Sequence, residues 1–215
     1  MSEETELREK ICLLARSIFE RGMTSGASGN MSARLSDGRL LVTPTGSSFG
    51  FLDPARLSLL SAEGELVSGD PPTKEMPLHS AFFETRASCG AVVHLHSSHS
   101  VALSMLPDTD PDNVLPPLTP YPIMRLGKVK LLPFFRPGDP AMGNAVRGLA
   151  GRRSAVLLAN HGPVVAGRDL DAAFHAMEEL EEGAKLALLT RGANPRMLST
   201  EQIDDLVRTF DIEWD

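Results

Sequence analysis

VVHLHSSHSV (92–101) places three of the chain's six histidines directly after a pair of valines. Read as a strand, its side chains alternate, so Val92, His94 and His96 share one face while Val93 and Leu95 point into the opposite layer. An apolar run that admits histidines on one face only is a buried strand with a polar site on one side. A strand from Ala91 to His96 is therefore predicted, followed by a short helix near Val101.

The rest of the chain supplies partners for that strand. Leu7, Ile11, Leu14, Ala15, Ile18 and Phe19 recur at helical spacing over 3–21, with Gly22 as a stop. TSGASGNMSARL (24–35) reads as a glycine- and serine-rich turn entering a strand, and Leu40–Thr43 as a strand broken by Pro44 and Gly46. LSLLSAEGELVSG (57–69) gives two short strands around a Glu63-Gly64 turn, and a helix opens near Pro77. Residues 107–127 are proline-rich and read as an irregular loop; KVKLLPFF (128–135) reads as a strand. Asp139 is the predicted N-cap of the next helix, with Pro140 at its first position. SAVLLAN (154–160) is a second buried strand and HGPVVAG (161–167) a turn with a short extension. Asp169 caps a helix to about Arg191, and one more helix is expected in 199–215. Strands and helices interleave without regular βαβ repeats, which predicts an α/β protein with one mixed or antiparallel sheet covered by helices.

With 215 residues, 42% hydrophobic and 23% charged, the chain suits one soluble domain spanning 1–215. A net charge of −7 argues against nucleic acid as a partner, because phosphate-backbone binding needs a basic surface. A single Trp and a single Tyr make a base-stacking platform implausible. No apolar run is long enough for a bilayer, so no membrane partner is expected. The acidic N-terminus lacks a secretory pattern, and Cys12 and Cys89 form neither a disulfide framework nor a zinc motif. A cytoplasmic location is expected.

Two imidazoles at i and i+2 on a strand can grip one ion, with zinc–nitrogen distances of about 2.0–2.1 Å. A His-x-His pair alone does not establish a metal site, since core and surface histidines are common. His161 strengthens it, because it sits where a second buried strand ends in a tight Asn-His-Gly turn. Three imidazoles with an open position suit a catalytic rather than a structural metal. His99 falls out of phase with the pair, and His79 and His175 lie in predicted helices as packing or surface residues. Glu75, at a loop-to-helix junction, could be a fourth ligand or a general acid/base. From its position alone, a glutamate favoured by the helix dipole is the simpler reading. Three polar loops could cradle an anion: Gly29-Asn30, Thr45-Gly46 and Thr73-Lys74. Each by itself reads as a turn.

Taken together, SGNMS (28–32), VTPTG (42–46), PPTKEMPLH (71–79), VVHLHSSHS (92–100) and LANHGPVVAG (158–167) resemble the class II aldolase/adducin family. The resemblance implies a three-layer α/β/α sandwich around a mainly antiparallel sheet. It implies that His94, His96 and His161 bind a catalytic divalent metal, usually zinc, although manganese or cobalt would also suit. Glu75 would be a ligand or the acid/base, and the early loops would hold a substrate phosphate. The family commonly forms homotetramers with active sites at subunit interfaces.

Within the family, PPLTPYPIMRLGKVKLLPFFRPGDP (116–140) and DLDAAFHAMEELEEGAKL (169–186) are similar to members that decarboxylate 3-oxo-tetronate 4-phosphates. That resemblance implies a carboxy-lyase of sugar-acid catabolism that releases CO2 and dihydroxyacetone phosphate. Fuculose-phosphate aldolases usually carry two serines where this chain has Thr73 and Lys74, which sets a cation beside the catalytic carboxylate. Tyr121 and Arg136 are further candidates for a substrate or interface role, though Tyr121 reads more simply as an amphipathic loop residue. The rival readings are a sugar-phosphate aldolase or epimerase, a non-enzymatic adducin-like module, and a dehydratase of a phosphorylated thio-sugar.

Overall fold

Ser2 caps the first helix, α1 (Glu3–Glu20), by accepting a hydrogen bond from the Thr5 N–H, and Ile11, Ala15 and Ile18 form its buried stripe. The computed structural model describes residues 2–214. Strands β1 (Asn30–Arg34), β2 (Leu40–Val42), β3 (Ser58–Leu60) and β4 (Leu66–Ser68) follow, with 3-10 turns at Phe49–Phe51 and Pro54–Arg56. Helix α2 (Met76–Thr85) leads to β5 (Ala91–His94). Helices α3 (Ser98–Ser104) and α4 (Pro120–Leu126) come next, and then β6 (Lys130–Leu132). The chain continues through α5 (Ala141–Gly148), β7 (Ala155–Leu158), β8 (Gly162–Gly167), α6 (Leu170–Leu189) and α7 (Thr200–Phe210).

The strands form one eight-stranded sheet in the order β4-β3-β2-β1-β5-β8-β7-β6. Every pair is antiparallel except β6–β7, which is parallel and has α5 as its crossover. The central strand is β5, whose register sets His94 opposite Asn30 on one side and Val164 on the other. Alternation along it feeds two cores. Val93 and Leu95 pack with Ile11 and Ile18 of α1 and with Phe174 and Met177 of α6. Val92 packs with Leu78 and Phe82 of α2 and Met142 and Val146 of α5. The result is the expected three-layer sandwich, mainly antiparallel. Burying each of these large apolar side chains contributes roughly 1.5–3 kcal/mol. Among the described residues, no helix is long and apolar enough to cross a membrane.

Three elements differ from the sequence expectation. HGPVVAG is more than a turn: β8 is a six-residue central strand, buried over its first five positions. Its flanking glycines mark close approaches. A Cβ on Gly162 would lie 2.1 Å from the Leu95 carbonyl oxygen, and one on Gly167 would lie 2.3 Å from the Ala173 backbone nitrogen. Second, the 107–127 stretch is not irregular throughout, since Pro120–Leu126 forms α4 with proline at the start of the helix, where no N–H is needed. Third, β5 ends at His94 rather than His96. Its extended course nevertheless continues, because the Leu95 N–H donates to the Pro163 carbonyl at 3.2 Å. The N-cap of α5 is Pro140 rather than the predicted Asp139, because the helix begins one residue later than expected; Asp139 still accepts from the Ala141 N–H at 2.9 Å.

Candidate metal centre and active site

β5 and the β7–β8 turn bring together what the chain keeps far apart. His94 Nε2 and His96 Nε2 lie 3.2 Å apart, and His161 Nε2 is 3.1 Å from His96 Nε2. The Glu75 carboxylate closes the fourth side, with Oε2 3.4 Å from His94 Nε2 and Oε1 3.4 Å from His161 Nε2. The four ligand atoms all lie within 4.8 Å of one another. Tetrahedral zinc with bonds of about 2.0–2.1 Å would hold its ligand nitrogens about 3.3 Å apart.

The hydrogen bonds also suit a cation. His94 Nδ1–H donates to the Pro163 carbonyl at 2.8 Å, which fixes the tautomer and leaves the Nε2 lone pair facing the cluster. A proton on any one of the three Nε2 atoms would satisfy one neighbour and leave other lone pairs opposed. One cation satisfies all three. Glu75 Oε1 is buried without a hydrogen-bond partner, as is His161 Nδ1. Burial, reinforced by His96 and His161, pushes His94 well below the ordinary imidazole value. Burial and then His161 lower His96; burial lowers His161 against the opposing pull of Glu75. All three are therefore neutral at pH 7, the form that binds metal. This donor set fits a divalent ion.

Local folding explains where each group stands. Asn160 adopts φ 56°, and the His161 N–H bonds back to the Leu158 carbonyl at 3.1 Å, so the tight turn aims the imidazole across the sheet end. The Asn160 N–H is held by Ser104 Oγ at 3.0 Å. Glu75 immediately precedes α2 and is 7% exposed. Its N–H donates to Thr73 Oγ1 at 3.2 Å, the Thr73 N–H to the Thr43 carbonyl at 3.2 Å, and the Thr43 N–H to the Met31 carbonyl at 2.9 Å. The Gly29-Asn30, Thr45-Gly46 and Thr73-Lys74 loops are thus tied through Thr43 at one end of β1 and β2. The sequence reading named no role for Thr43, although it lies within the quoted VTPTG motif.

Not every candidate joins the cluster. Thr45, Gly46 and Lys74 are exposed and Thr73 is buried. Gly29 approaches the His94 carbonyl so closely that a Cβ would stand 3.1 Å away. The Asn30 carboxamide, a candidate for the phosphate, donates from Nδ2 to Glu75 Oε2 at 2.7 Å. His79 lies in a helix and is buried, as expected of a packing residue, but it also hydrogen-bonds Ser32 and Asn30. His175 is exposed on α6. His99 stays outside the cluster and pairs with Glu181 at 2.8 Å. Tyr121 is exposed on α4, a helix rather than the expected loop, and Arg136 is exposed in the turn closed by Asp139 N–H to the Arg136 carbonyl. Among the described residues, neither forms a hydrogen bond or ion pair with the cluster.

A three-layer sandwich with a three-histidine, one-carboxylate centre at the end of its middle strands defines a class of protein. The chain belongs to the class II aldolase and adducin N-terminal domain family, which it matches over residues 9–188. It is 49% identical over 203 residues to the 3-oxo-tetronate 4-phosphate decarboxylase of Escherichia coli (strain K12), covering 94% of this chain and 96% of that one. The L-fuculose phosphate aldolase of Methanococcus maripaludis (strain DSM 14266) is 34% identical over 178 residues, covering 82% and 92%. Among solved structures, YgbL from Escherichia coli, described as a putative aldolase/epimerase/decarboxylase, superimposes with a TM-score of 0.93. That match is 47% identical and covers 95% of this chain and 99% of the other.

Proposed function

We propose that the protein decarboxylates a 3-oxo-tetronate 4-phosphate to dihydroxyacetone phosphate and CO2, as a metal-dependent carboxy-lyase of sugar-acid catabolism. The observation that carries this reading is 49% identity along nearly the whole chain to a decarboxylase of that name, against 34% to an aldolase. The chemistry of the site agrees with it. In the substrate the 3-ketone lies β to the carboxylate, so the electron pair of the breaking C1–C2 bond can move onto the ketone oxygen as CO2 leaves. A divalent cation held by His94, His96 and His161, with zinc the best match to imidazoles, supplies positive charge where negative charge gathers.

Glu75 takes up a proton from solvent and passes it to C2, which completes dihydroxyacetone phosphate and returns the carboxylate. Its Oε1 is the oxygen for this transfer, since Oε2 is held by Asn30. Gly29, Thr45, Gly46, Thr73 and Lys74 take the phosphate through backbone N–H groups, hydroxyls and one cation. Tyr121 and Arg136, both exposed, serve at a neighbouring subunit's site in a homotetramer. The location is cytoplasmic.

A class II aldolase shares the enediolate intermediate, and the 34% relative keeps that reading in view. The deciding experiment supplies zinc-loaded enzyme with both C2 epimers of the 3-oxo acid, then separately with dihydroxyacetone phosphate and an aldehyde. CO2 and dihydroxyacetone phosphate from either acid support the proposal. Efficient carbon–carbon bond formation with no CO2 from the acids overturns it in favour of an aldolase.

A further inference from the structure

We propose that His79 is a positioning residue: through Asn30 it fixes the Glu75 carboxylate with Oε2 anchored and Oε1 free to exchange a proton with the substrate carbon. This inference rests on the acid/base role of Glu75 proposed above.

The geometry is a chain of three hydrogen bonds running from the sheet into the site. Ser32 Oγ and His79 Nδ1 are 2.6 Å apart, His79 Nε2 and Asn30 Oδ1 are 2.5 Å apart, and Asn30 Nδ2 donates to Glu75 Oε2 at 2.7 Å. Ser32 and His79 are fully buried, and Asn30 and Glu75 are nearly so. Water therefore supplies none of these contacts. The direction of the chain follows from its end. An ionised carboxylate only accepts, so Asn30 must turn its NH2 toward Glu75 and its carbonyl toward His79. His79 must then carry its hydrogen on Nε2, and Ser32 must donate to Nδ1.

His79 stays a neutral two-ended link, since burial, followed by the neighbouring His94, pushes it down to about 3. Without the Nε2–H, the Asn30 carbonyl loses its donor, and the amide is held at its Glu75 end alone, so neither it nor the carboxylate is fixed in place. The backbone holds the network in place from both sides. Asn30 and Ser32 are alternate residues of β1 on one sheet face, while Glu75 and His79 are one helical turn apart at the start of α2.

The test measures deuterium wash-in at the hydroxymethyl carbon of dihydroxyacetone phosphate in D2O, using zinc-loaded enzyme. This reports proton exchange at that carbon whether the forward reaction is decarboxylation or aldol cleavage. His79→Leu is expected to slow exchange about 10–100-fold, with KM and zinc content near wild type and a lower melting temperature, because the buried Ser32 hydroxyl and Asn30 carbonyl lose their partner. His79→Gln, whose amide N–H reaches the place of Nε2–H, is expected to restore most of the rate. Unchanged exchange in His79→Leu, a loss expressed in KM alone, or a His79→Gln as impaired as His79→Leu would overturn the inference. Should His79→Leu fail to fold, Ser32→Ala removes only the hydroxyl that sets the tautomer. A several-fold slower exchange supports the chain there, and an unchanged rate overturns it. Wild-type enzyme that exchanges no deuterium would instead overturn the proposed reaction itself.

Discussion

Glu75 and Glu181 both meet histidines of the 92–101 stretch, and their surroundings are opposite. Around Glu181 every oxygen is occupied. Oε1 accepts from the His99 N–H at 2.9 Å and His99 Nδ1 at 2.8 Å, and Oε2 accepts from the Ser100 N–H at 2.9 Å and Ser100 Oγ at 2.6 Å. Burial alone would raise that carboxyl, but the Ser100 hydroxyl and the His99 and Ser100 N–H groups outweigh it and hold it low. Around Glu75, one oxygen has Asn30 and the other has no hydrogen-bond partner while facing imidazole nitrogens. A glutamate with complete partners ties α6 to the first turn of α3, just after His96. A glutamate with an oxygen left over, opposite converging lone pairs, belongs to a site that takes something in.

Substitutions on the two sides should separate accordingly. His94→Ala is expected to have the largest effect, removing a proposed ligand and the hydrogen bond to Pro163. Metal content by elemental analysis should collapse and turnover should fall by about 10^3-fold or more, because cation stabilisation is worth several kcal/mol. A variant that kept both metal and activity would remove the basis of the comparison. Glu75→Gln is expected to keep the metal and lose turnover by about 10^2–10^4-fold, and unchanged turnover would end its acid/base role. Glu181→Ala should do the reverse. It leaves the buried Ser100 N–H and hydroxyl and the part-buried His99 N–H without acceptors and should cost about 2–3 kcal/mol, lowering the melting temperature by roughly 4–12 °C, while zinc stoichiometry remains that of the wild type.

The smallest expected effect concerns pH. His79 is lowered from 6.5 to about 3 by burial, so between those values the unfolded chain binds a proton that the folded one does not. Stability of the metal-free protein therefore rises with pH across this window and is lost on acidification. The contribution of this one residue to the slope is at most about 1.4 kcal/mol per pH unit. Denaturant unfolding from pH 6.5 downward should be steeper in pH for the wild type than for His79→Gln; equal slopes would show that His79 protonates in the folded state as readily as in the unfolded chain.

How much of this was legible varies with the range of the signal. Alternation in 92–96 identified His94 and His96 as a pair and set His99 apart, and the Asn-His-Gly turn pointed to His161. Local punctuation misled where glycine and proline served tertiary ends. Gly162 and Gly167 bracket β8 because neighbouring backbone crowds them, while the reversal before the strand is made by Asn160 and His161. Pro120 opens a helix in a stretch whose prolines suggested no structure. The partners of His79 and Asn30 were out of reach, because 49 and 45 residues separate the atoms that meet.

The sequence by itself determined the layer pattern of the central strand, the three imidazoles that converge and the family, because these depend on periodicity and on short motifs in order. Only the tertiary structure decided which oxygen of Glu75 is anchored, that Asn30 turns toward that carboxylate, and that His79 meets Asn30 from behind. Hydrogen-bond direction is set by atoms that distant strands and helices bring within 3 Å of one another, and no local pattern in the chain encodes that meeting.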